Sequence, residues 1–187
     1  MSLEPLIRPF EQRDRPFILA LVPRLIETTI LPGRLPIQVL ASLECPLCDF
    51  MASAAGASLP GLDPETATLE ATEVLFTEDL FVAETSEGDR LGFIYLQTQT
   101  DPFSHEPQGH IADIVVTAAA EGQGVGTALM AKAEAWAQQH RYRRLTLNAF
   151  AGNQTVRSWY ERQGFEPEMV QYIKPLPEQP LPEQPLP

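Results

Sequence analysis

Two stretches of the chain carry residues whose types and spacing could do chemistry. The first spans residues 110–127, HIADIVVTAAAEGQGVGT. Residues 111–116 read as a largely apolar, β-branched strand interrupted by Asp113, and Ala118-Ala119-Ala120 forms a small-residue turn. Gly122, Gln123, Gly124, Val125, Gly126 and Thr127 follow, and from Val125 the apolar residues Leu129, Met130, Ala133, Trp136 and Ala137 fall at helical spacing. A strand therefore runs into a glycine-rich turn that opens a helix. Glycines let main-chain N–H groups approach an anion, and a helix N-terminus adds partial positive charge, so this pattern suits phosphate or pyrophosphate. The competing reading is a strand–helix turn that glycine merely eases, with no ligand. A P-loop is excluded, because no Gly-Lys pair followed by Ser or Thr is present. A dinucleotide fingerprint fits poorly: Thr127 stands where a glycine is wanted, and the next strand, residues 146–150, carries no acid.

The second stretch spans residues 153–165, NQTVRSWYERQGF. Asn153 is a good helix N-cap, Val156 and Tyr160 share one helical face, and Gly164 ends the helix. Taken alone, Tyr160 reads as an amphipathic core residue. The two stretches together are more specific. Residues 121–126 resemble the acetyl-coenzyme A loop of the GNAT N-acetyltransferase superfamily, Arg/Gln-x-x-Gly-x-Gly/Ala, with Glu121 as the one departure. Residues 153–165 resemble the later motif of that superfamily, Asn-x-x-Ala-x-x-x-Tyr-x-x-x-Gly-Phe. The resemblance covers roughly residues 108–174.

It implies transfer of an acetyl group from acetyl-CoA to a primary amine, by direct attack in a ternary complex and without a metal. By the same resemblance, main-chain groups of Ile114, Val115 and Val116 would hold the pantetheine arm and the carbonyl. Gly122, Gln123, Gly124, Val125, Gly126 and Thr127 would hold the pyrophosphate, Asn153 would contact the cofactor, and Tyr160 would stand at the departing thiolate. An alkyl ammonium with a pKa near ~10.4 must lose a proton before it attacks, so a base is wanted. His110 sits where some family members keep a glutamate, and imidazole titrates in the useful range; Asp113 is a second candidate and Glu73 a third. In a regular strand His110 and Asp113 have opposite parity, which predicts that only one of them faces the acceptor. A phenol near ~10 is a weaker acid than a thiol near ~8.5, so Tyr160 suits hydrogen bonding to the thiolate better than full proton transfer.

The elements that must position these groups can be read along the chain. Residues 6–10 read as a strand, and Phe17, Leu21, Leu25 and Ile26 as the stripe of a helix opened by Pro16. Pro32-Gly33 breaks the chain; residues 36–55 read as helical with an ambiguity at Pro46, residues 58–64 as loop and residues 64–72 as a short helix. Residues 80–84 and 91–96 form a hairpin around Ser86-Glu87-Gly88-Asp89, residues 98–109 a polar loop, and residues 169–174 a last strand. The expected fold class is α/β: a GNAT-like mixed, mostly antiparallel sheet of six to seven strands with helices on both faces. One domain is expected over residues 1–174. Residues 175–187 repeat Pro-Leu-Pro-Glu-Gln and should be extended or disordered.

Composition narrows the function classes. Thirteen basic against 25 acidic residues give a net charge of −12 in 187 residues, which disfavours nucleic-acid binding and modestly favours cationic acceptors. No apolar run approaches the ~20 residues that span a bilayer, and the first residues lack a secretory pattern, so a cytoplasmic protein without membrane partners is expected. Cys45 and Cys48 lack the further ligands a zinc site needs and read as two reduced, partly buried thiols near a helix rather than a redox pair. The expected partners are a small-molecule or protein amine and, as frequent in the family, a second copy in a homodimer. The competing function is a non-catalytic CoA-binding or interaction module with the proline tail as its docking element; Tyr160 argues against it.

Overall fold

In chain order the elements are β1 (Leu6–Pro9), α1 (Arg15–Leu21), α2 (Pro36–Ser53), β2 (Glu78–Glu84), β3 (Arg90–Thr100), β4 (Pro107–Val116), α3 (Val125–Gln139), β5 (Leu145–Leu147) and α4 (Gln154–Arg162), with 3-10 turns at Gln12–Asp14, Val22–Leu25 and Ala118–Ala120. The computed structural model describes residues 4–27, 34–54, 77–174 and 176. The expected break at Pro32-Gly33, the loop and short helix over residues 58–72, Glu73, and the repeat tail apart from Leu176 lie outside the described residues.

The strands form one sheet in the order β1-β2-β3-β4-β5, antiparallel throughout except for the parallel β4–β5 pair. Period-2 alternation sends Phe81, Ala83, Ile94, Leu96 and Ile111 to one face, where they pack with Leu129, Met130, Ala133 and Trp136 of α3 and with Tyr160 of α4. Leu80, Val82, Phe93, Tyr95 and Val115 take the other face and pack with Ile18 of α1, Val22, and Leu47 and Met51 of α2. Helices thus cover both faces, as expected. Gly92 must lack a side chain: a Cβ there would stand 2.5 Å from the Val115 carbonyl oxygen of the adjacent strand.

Four expectations need correction, and one ambiguity is resolved. The sheet has five strands among the described residues rather than six or seven. Residues 169–174 pair with no strand, and Met169, Val170 and Tyr172 are exposed. Apolar residues come there in adjacent pairs, which a strand buried on both faces would use and an outer strand would not. The polar stretch 98–109 is mostly strand. Thr98 is buried and its hydroxyl meets Tyr142 Oη at 2.6 Å, so a polar residue is accommodated inside the sheet and the turn shrinks to residues 101–106. Helix α2 runs through Pro46, because Val39, Leu47 and Met51 are buried on both sides of it and outweigh the one lost main-chain bond. Finally, α1 becomes 3-10 at Val22–Leu25 where Pro23 removes a donor, and the fully buried residues of this segment are Ile18 and Val22, with Leu21 close behind, rather than Phe17 and Leu25.

The start of the chain is tied to the hairpin by a buried ionic network. Asp14 is fully buried and accepts bonds from Arg8 (2.7 and 2.9 Å), Arg90 Nε (2.6 Å) and the Glu11 N–H (2.9 Å). Arg8 Nε also meets Glu84 at 2.8 Å. Every lone-pair direction of the Asp14 carboxylate is used, which is the condition under which a buried charge is tolerated.

Candidate active site

Strand β4 is the axis of the site, and one irregularity shapes it. Opposite β3, Tyr95 pairs with Asp113 and Leu96 with Ile111, so Ala112 is an extra residue and β4 bulges there. The bulge resets the strand's parity. Ile111 and Ile114, three apart, both pack on the α3 face, whereas Ala112 and Val115 both pack on the α1–α2 face. Tyr95 and Gln97, on one face of β3, lie opposite Asp113 and His110. The expectation that His110 and Asp113 point to opposite faces is therefore overturned: cross-strand partners share a face, and these two acquire the same one.

That face is polar at its outer end. Tyr95 Oη donates to Glu78 Oε2 at 2.9 Å, and Gln97 Nε2 donates to Glu78 Oε1 at 3.1 Å and to Tyr95 Oη at 3.0 Å. Phe50 of α2 packs on the Tyr95 ring, with centroids 5.5 Å apart. Asp113 is 6% exposed and its carboxylate has no hydrogen-bond or ion-pair partner among the described residues. Burial pushes its pKa up to about 7, so the group lies poised between acid and carboxylate near neutrality. His110 is equally buried, and its Nδ1 lies 2.9 Å from Thr146 Oγ1 on β5. Burial lowers the pKa of His110, so the imidazole is neutral at pH 7.

Past the bulge, β4 and β5 part. They pair only at Gly109↔Leu145, His110↔Thr146 and Ile111↔Leu147. Main-chain groups of Ile114, Val115 and Val116 that do not face β3 thus line an edge with no strand partner among the described residues, while their side chains anchor in the two cores. Tyr160, on α4, packs in the core on the α3 face, 9% exposed, against Trp159 (centroids 5.1 Å) and Phe165 (6.0 Å). Burial first, and then the charge of Asp113, pushes the Tyr160 pKa up to about 12. The phenol is therefore a neutral hydrogen-bond donor at any working pH. Asn153 caps α4, its Oδ1 accepting the Val156 N–H at 3.2 Å, and Gly164 closes the helix at φ +90°.

The glycine loop forms as expected, with distinct roles for its three glycines. Gly122 (φ +71°) and Gly124 (φ +87°) adopt the left-handed conformation, with Gly124 at the N-cap of α3. Gly126 serves packing instead: a Cβ there would meet the Trp159 ring at 3.3 Å. Residues 121–124 are exposed and Val125 is fully buried, so the loop is anchored by one side chain and otherwise open. The first α-helical bond runs from the Ala128 N–H to the Gly124 oxygen at 3.0 Å, which leaves the N–H groups of Val125, Gly126 and Thr127 as the orphan donors of a helix start. These donors, with two left-handed glycines ahead of them, fit a pyrophosphate.

Sequence reasoning missed a polar cluster and one arginine. Glu78, Tyr95 and Gln97 form the polar rim opposite His110 and Asp113, a grouping that the register of three strands creates. Arg24 pairs with Glu121, 97 positions away, and donates to the Val116 oxygen at 3.1 Å; no local signal marks it. Cys45 and Cys48 are free thiols on α2; Cys48 is partly buried as expected, but Cys45 is exposed. Among the described residues no group of three or more His, Cys, Asp or Glu side chains is placed to hold a metal ion, and no helix is long and apolar enough to cross a membrane.

Comparison with known proteins agrees with this geometry. The family model described as the acetyltransferase (GNAT) family matches residues 51–165. No curated protein matches. Among solved structures, a Pyrococcus furiosus protein assigned as an acetyl transferase is 21% identical, with a TM-score of 0.66 over 92% of this chain and 100% of that one. An aminoglycoside 6'-N-acetyltransferase from Acinetobacter haemolyticus is 17% identical, with a TM-score of 0.58 over 92% and 99%. A glucosamine-6-phosphate N-acetyltransferase from Arabidopsis thaliana is 15% identical, with a TM-score of 0.57 over 93% and 99%. At these identities the likeness is one of fold.

Proposed function

The chain belongs to the acetyltransferase (GNAT) family, an acyltransferase class of enzyme, and we propose that it carries acetyl from acetyl-CoA to a primary amine in a ternary complex, with Asp113 as the base. The observation that carries this reading is the bulge at Ala112, which sets a buried carboxylate, with no partner among the described residues, beside the opening between β4 and β5. Acetyl-CoA, when bound, supplies the thioester to be attacked. N–H groups at the start of α3, after Gly122, Gln123 and Gly124, hold the pyrophosphate, with Val125, Gly126 and Thr127 as the donors. The edge of Ile114, Val115 and Val116 that has no strand partner among the described residues holds the pantetheine arm and polarises the carbonyl. Asp113 takes a proton from the incoming ammonium. Its raised pKa matches the task, because a carboxylate of ordinary pKa would be too weak a base. The Tyr160 hydroxyl, which has no partner among the described residues, donates to the sulfur as negative charge builds there. Asn153 caps α4 and so fixes where that hydroxyl stands. His110, already engaged by Thr146, is the alternative base.

The acceptor is a small-molecule or protein amine. The exposed carboxylate of Glu78, held by Tyr95 and Gln97 on the face of Asp113, supports one that carries positive charge. The catalytic domain spans residues 1–174, with residues 175–187 an appended tail, and the protein acts in the cytoplasm, without a metal. Release of free CoA thiol from acetyl-CoA, followed across a panel of amines with the wild type, Asp113→Asn and His110→Gln, tests the reading. Amine-dependent release that Asp113→Asn abolishes and His110→Gln largely spares is expected; the opposite pattern transfers the role to His110, and no release with any amine sinks the enzyme reading.

A further inference from the structure

We propose that Arg24 masks the charge of Glu121 and thereby makes the glycine loop able to take a pyrophosphate. Glu121 occupies the position at the mouth of the loop where the GNAT pattern carries arginine or glutamine. A carboxylate at that point opposes a doubly charged ligand, and more strongly where the site is partly buried than in open water. The structure supplies the offset from a residue 97 positions earlier in the chain.

Arg24 lies in the 3-10 turn Val22–Leu25, held in place by the fully buried Val22 and made rigid by Pro23. Its guanidinium has three attachments. Nε donates to the Val116 oxygen, the last residue of β4, at 3.1 Å. Nη2 forms a charged hydrogen bond to Glu121 Oε1, and Nη1 lies 3.4 Å from Glu27 Oε2. The Arg24 side chain is 23% exposed, against 60% for that of Glu121, so the cation is the fixed member of the pair and the carboxylate is drawn to it. Residue 121 has extended backbone (φ −60°, ψ 139°) directly after the Ala118–Ala120 turn. The main-chain donors of residues 125–127 are thus left to face the ligand. No other basic side chain is paired with residues 117–127 among the described residues. Without Arg24, two carboxylates, Glu121 and Glu27, would stand uncompensated at the loop entrance.

The inference rests on acetyl-CoA binding at this loop, and its signature is coupling between two residues rather than the effect of either. CoA affinity would be measured by calorimetry at about 20 mM and about 500 mM salt, where the screening length falls from roughly 20 to 4 Å. The variants are Arg24→Gln, Glu121→Gln and the double substitution. Glu121→Gln alone should change affinity by less than about threefold at both salts. Arg24→Gln should weaken CoA about tenfold at low salt and much less at high salt. The double variant should recover to within about threefold of the wild type. Pantetheine, which lacks the pyrophosphate, should bind all four proteins alike; a merely structural loss would weaken it too. Wild-type protein that binds no CoA refutes the functional reading. Wild-type protein that binds CoA while Arg24→Gln binds equally well, or a double variant no better than Arg24→Gln, overturns the masking alone. If Arg24→Gln does not fold, Glu121→Gln still decides: a tenfold tightening at low salt means that Glu121 already faces the phosphates unmasked.

Discussion

His110 and Asp113 stand three positions apart on β4 yet share one face of the sheet, because Ala112 is an extra residue against the Tyr95–Leu96 step of β3. Without the bulge one of them would point into the α3 core. With it, one buried residue is fastened to β5 through Thr146 while the other is left with no partner among the described residues. The two candidates for the base thus differ in what their surroundings leave them free to do.

Asp113→Asn should lower kcat by about 10²–10³, the range of a lost general base. In the wild type kcat/KM should rise with pH and level off above about 7, because the carboxyl must be ionised to accept a proton and burial sets its pKa there. Initial rates from pH 5.5 to 9 check this. A wild-type profile flat across pH 7 would remove Asp113 from the role.

The same substitution should stabilise the protein. A carboxyl whose folded pKa is raised binds protons more tightly in the folded state, so stability falls as pH rises from about 4 to about 7. The gap between an ordinary carboxyl and about 7 corresponds to at most roughly 4 kcal/mol. Asp113→Asn removes the ionisation but keeps the shape. Its melting temperature should exceed that of the wild type at pH 8 and converge with it near pH 4. Equal melting temperatures at pH 8 would mean that the carboxylate is better solvated than its burial indicates.

Gly124 and Gly126 should fail in different ways when replaced. Gly124→Val forces a β-branched residue to φ +87° at the N-cap of α3, where the donors for the pyrophosphate are aimed, and should abolish CoA binding with the fold retained. Gly126→Ala has no backbone strain but pushes the Trp159 ring, 3.3 Å from the new Cβ. It should cost about 1 kcal/mol of stability and shift α4, which carries Tyr160. Calorimetry with CoA and urea unfolding on both variants separate the two effects.

Much of this was legible in the sequence where the signal is local. The glycine loop, the Asn153 cap and the Gly164 stop depend on neighbours within a turn, and each forms as its residues indicate. What was not legible depends on partners far along the chain. Ala112 carries no mark of a bulge, which exists only in its register against β3. Arg24 and Glu121 meet across 97 positions. Residues 98–100 read as loop because they are polar, yet Thr98 finds its partners on Tyr142 and Thr77, in other segments. Conversely, the β-like composition of residues 169–174 predicts a strand, yet these residues pair with none among the described residues.

Asp14 should control the acid limit of stability. Burial alone would raise its pKa, but the hydrogen bonds from Arg8, from Arg90 and from the Glu11 N–H outweigh burial and hold the carboxyl well below the usual range. A depressed pKa contributes stability that is fully present above about pH 4 and is lost as pH falls below it. Asp14→Asn should cost about 3 kcal/mol at pH 7, since Arg8 and Arg90 lose their shared counter-charge. The variant should also lose less stability than the wild type between pH 4 and pH 2. Urea midpoints across that range test both statements; parallel curves for the two proteins would show that the network does not govern acid unfolding.

Tyr160→Phe isolates one hydroxyl. The ring keeps its contacts with Trp159 and Phe165, and the lost group has no partner among the described residues, so the melting temperature and the affinity for CoA should stay near wild type. Turnover should fall about 10–100-fold, because the hydroxyl acts only as charge develops on sulfur, and kcat and kcat/KM should fall together. The pH profile then discriminates between roles. With its pKa pushed up to about 12 the phenol does not titrate between pH 5.5 and 9, so removing it should scale the rates without moving the inflection set by Asp113. An inflection that moves upward would instead show that the hydroxyl donates to the Asp113 carboxylate. Unchanged turnover with the best amine would leave Tyr160 as packing alone.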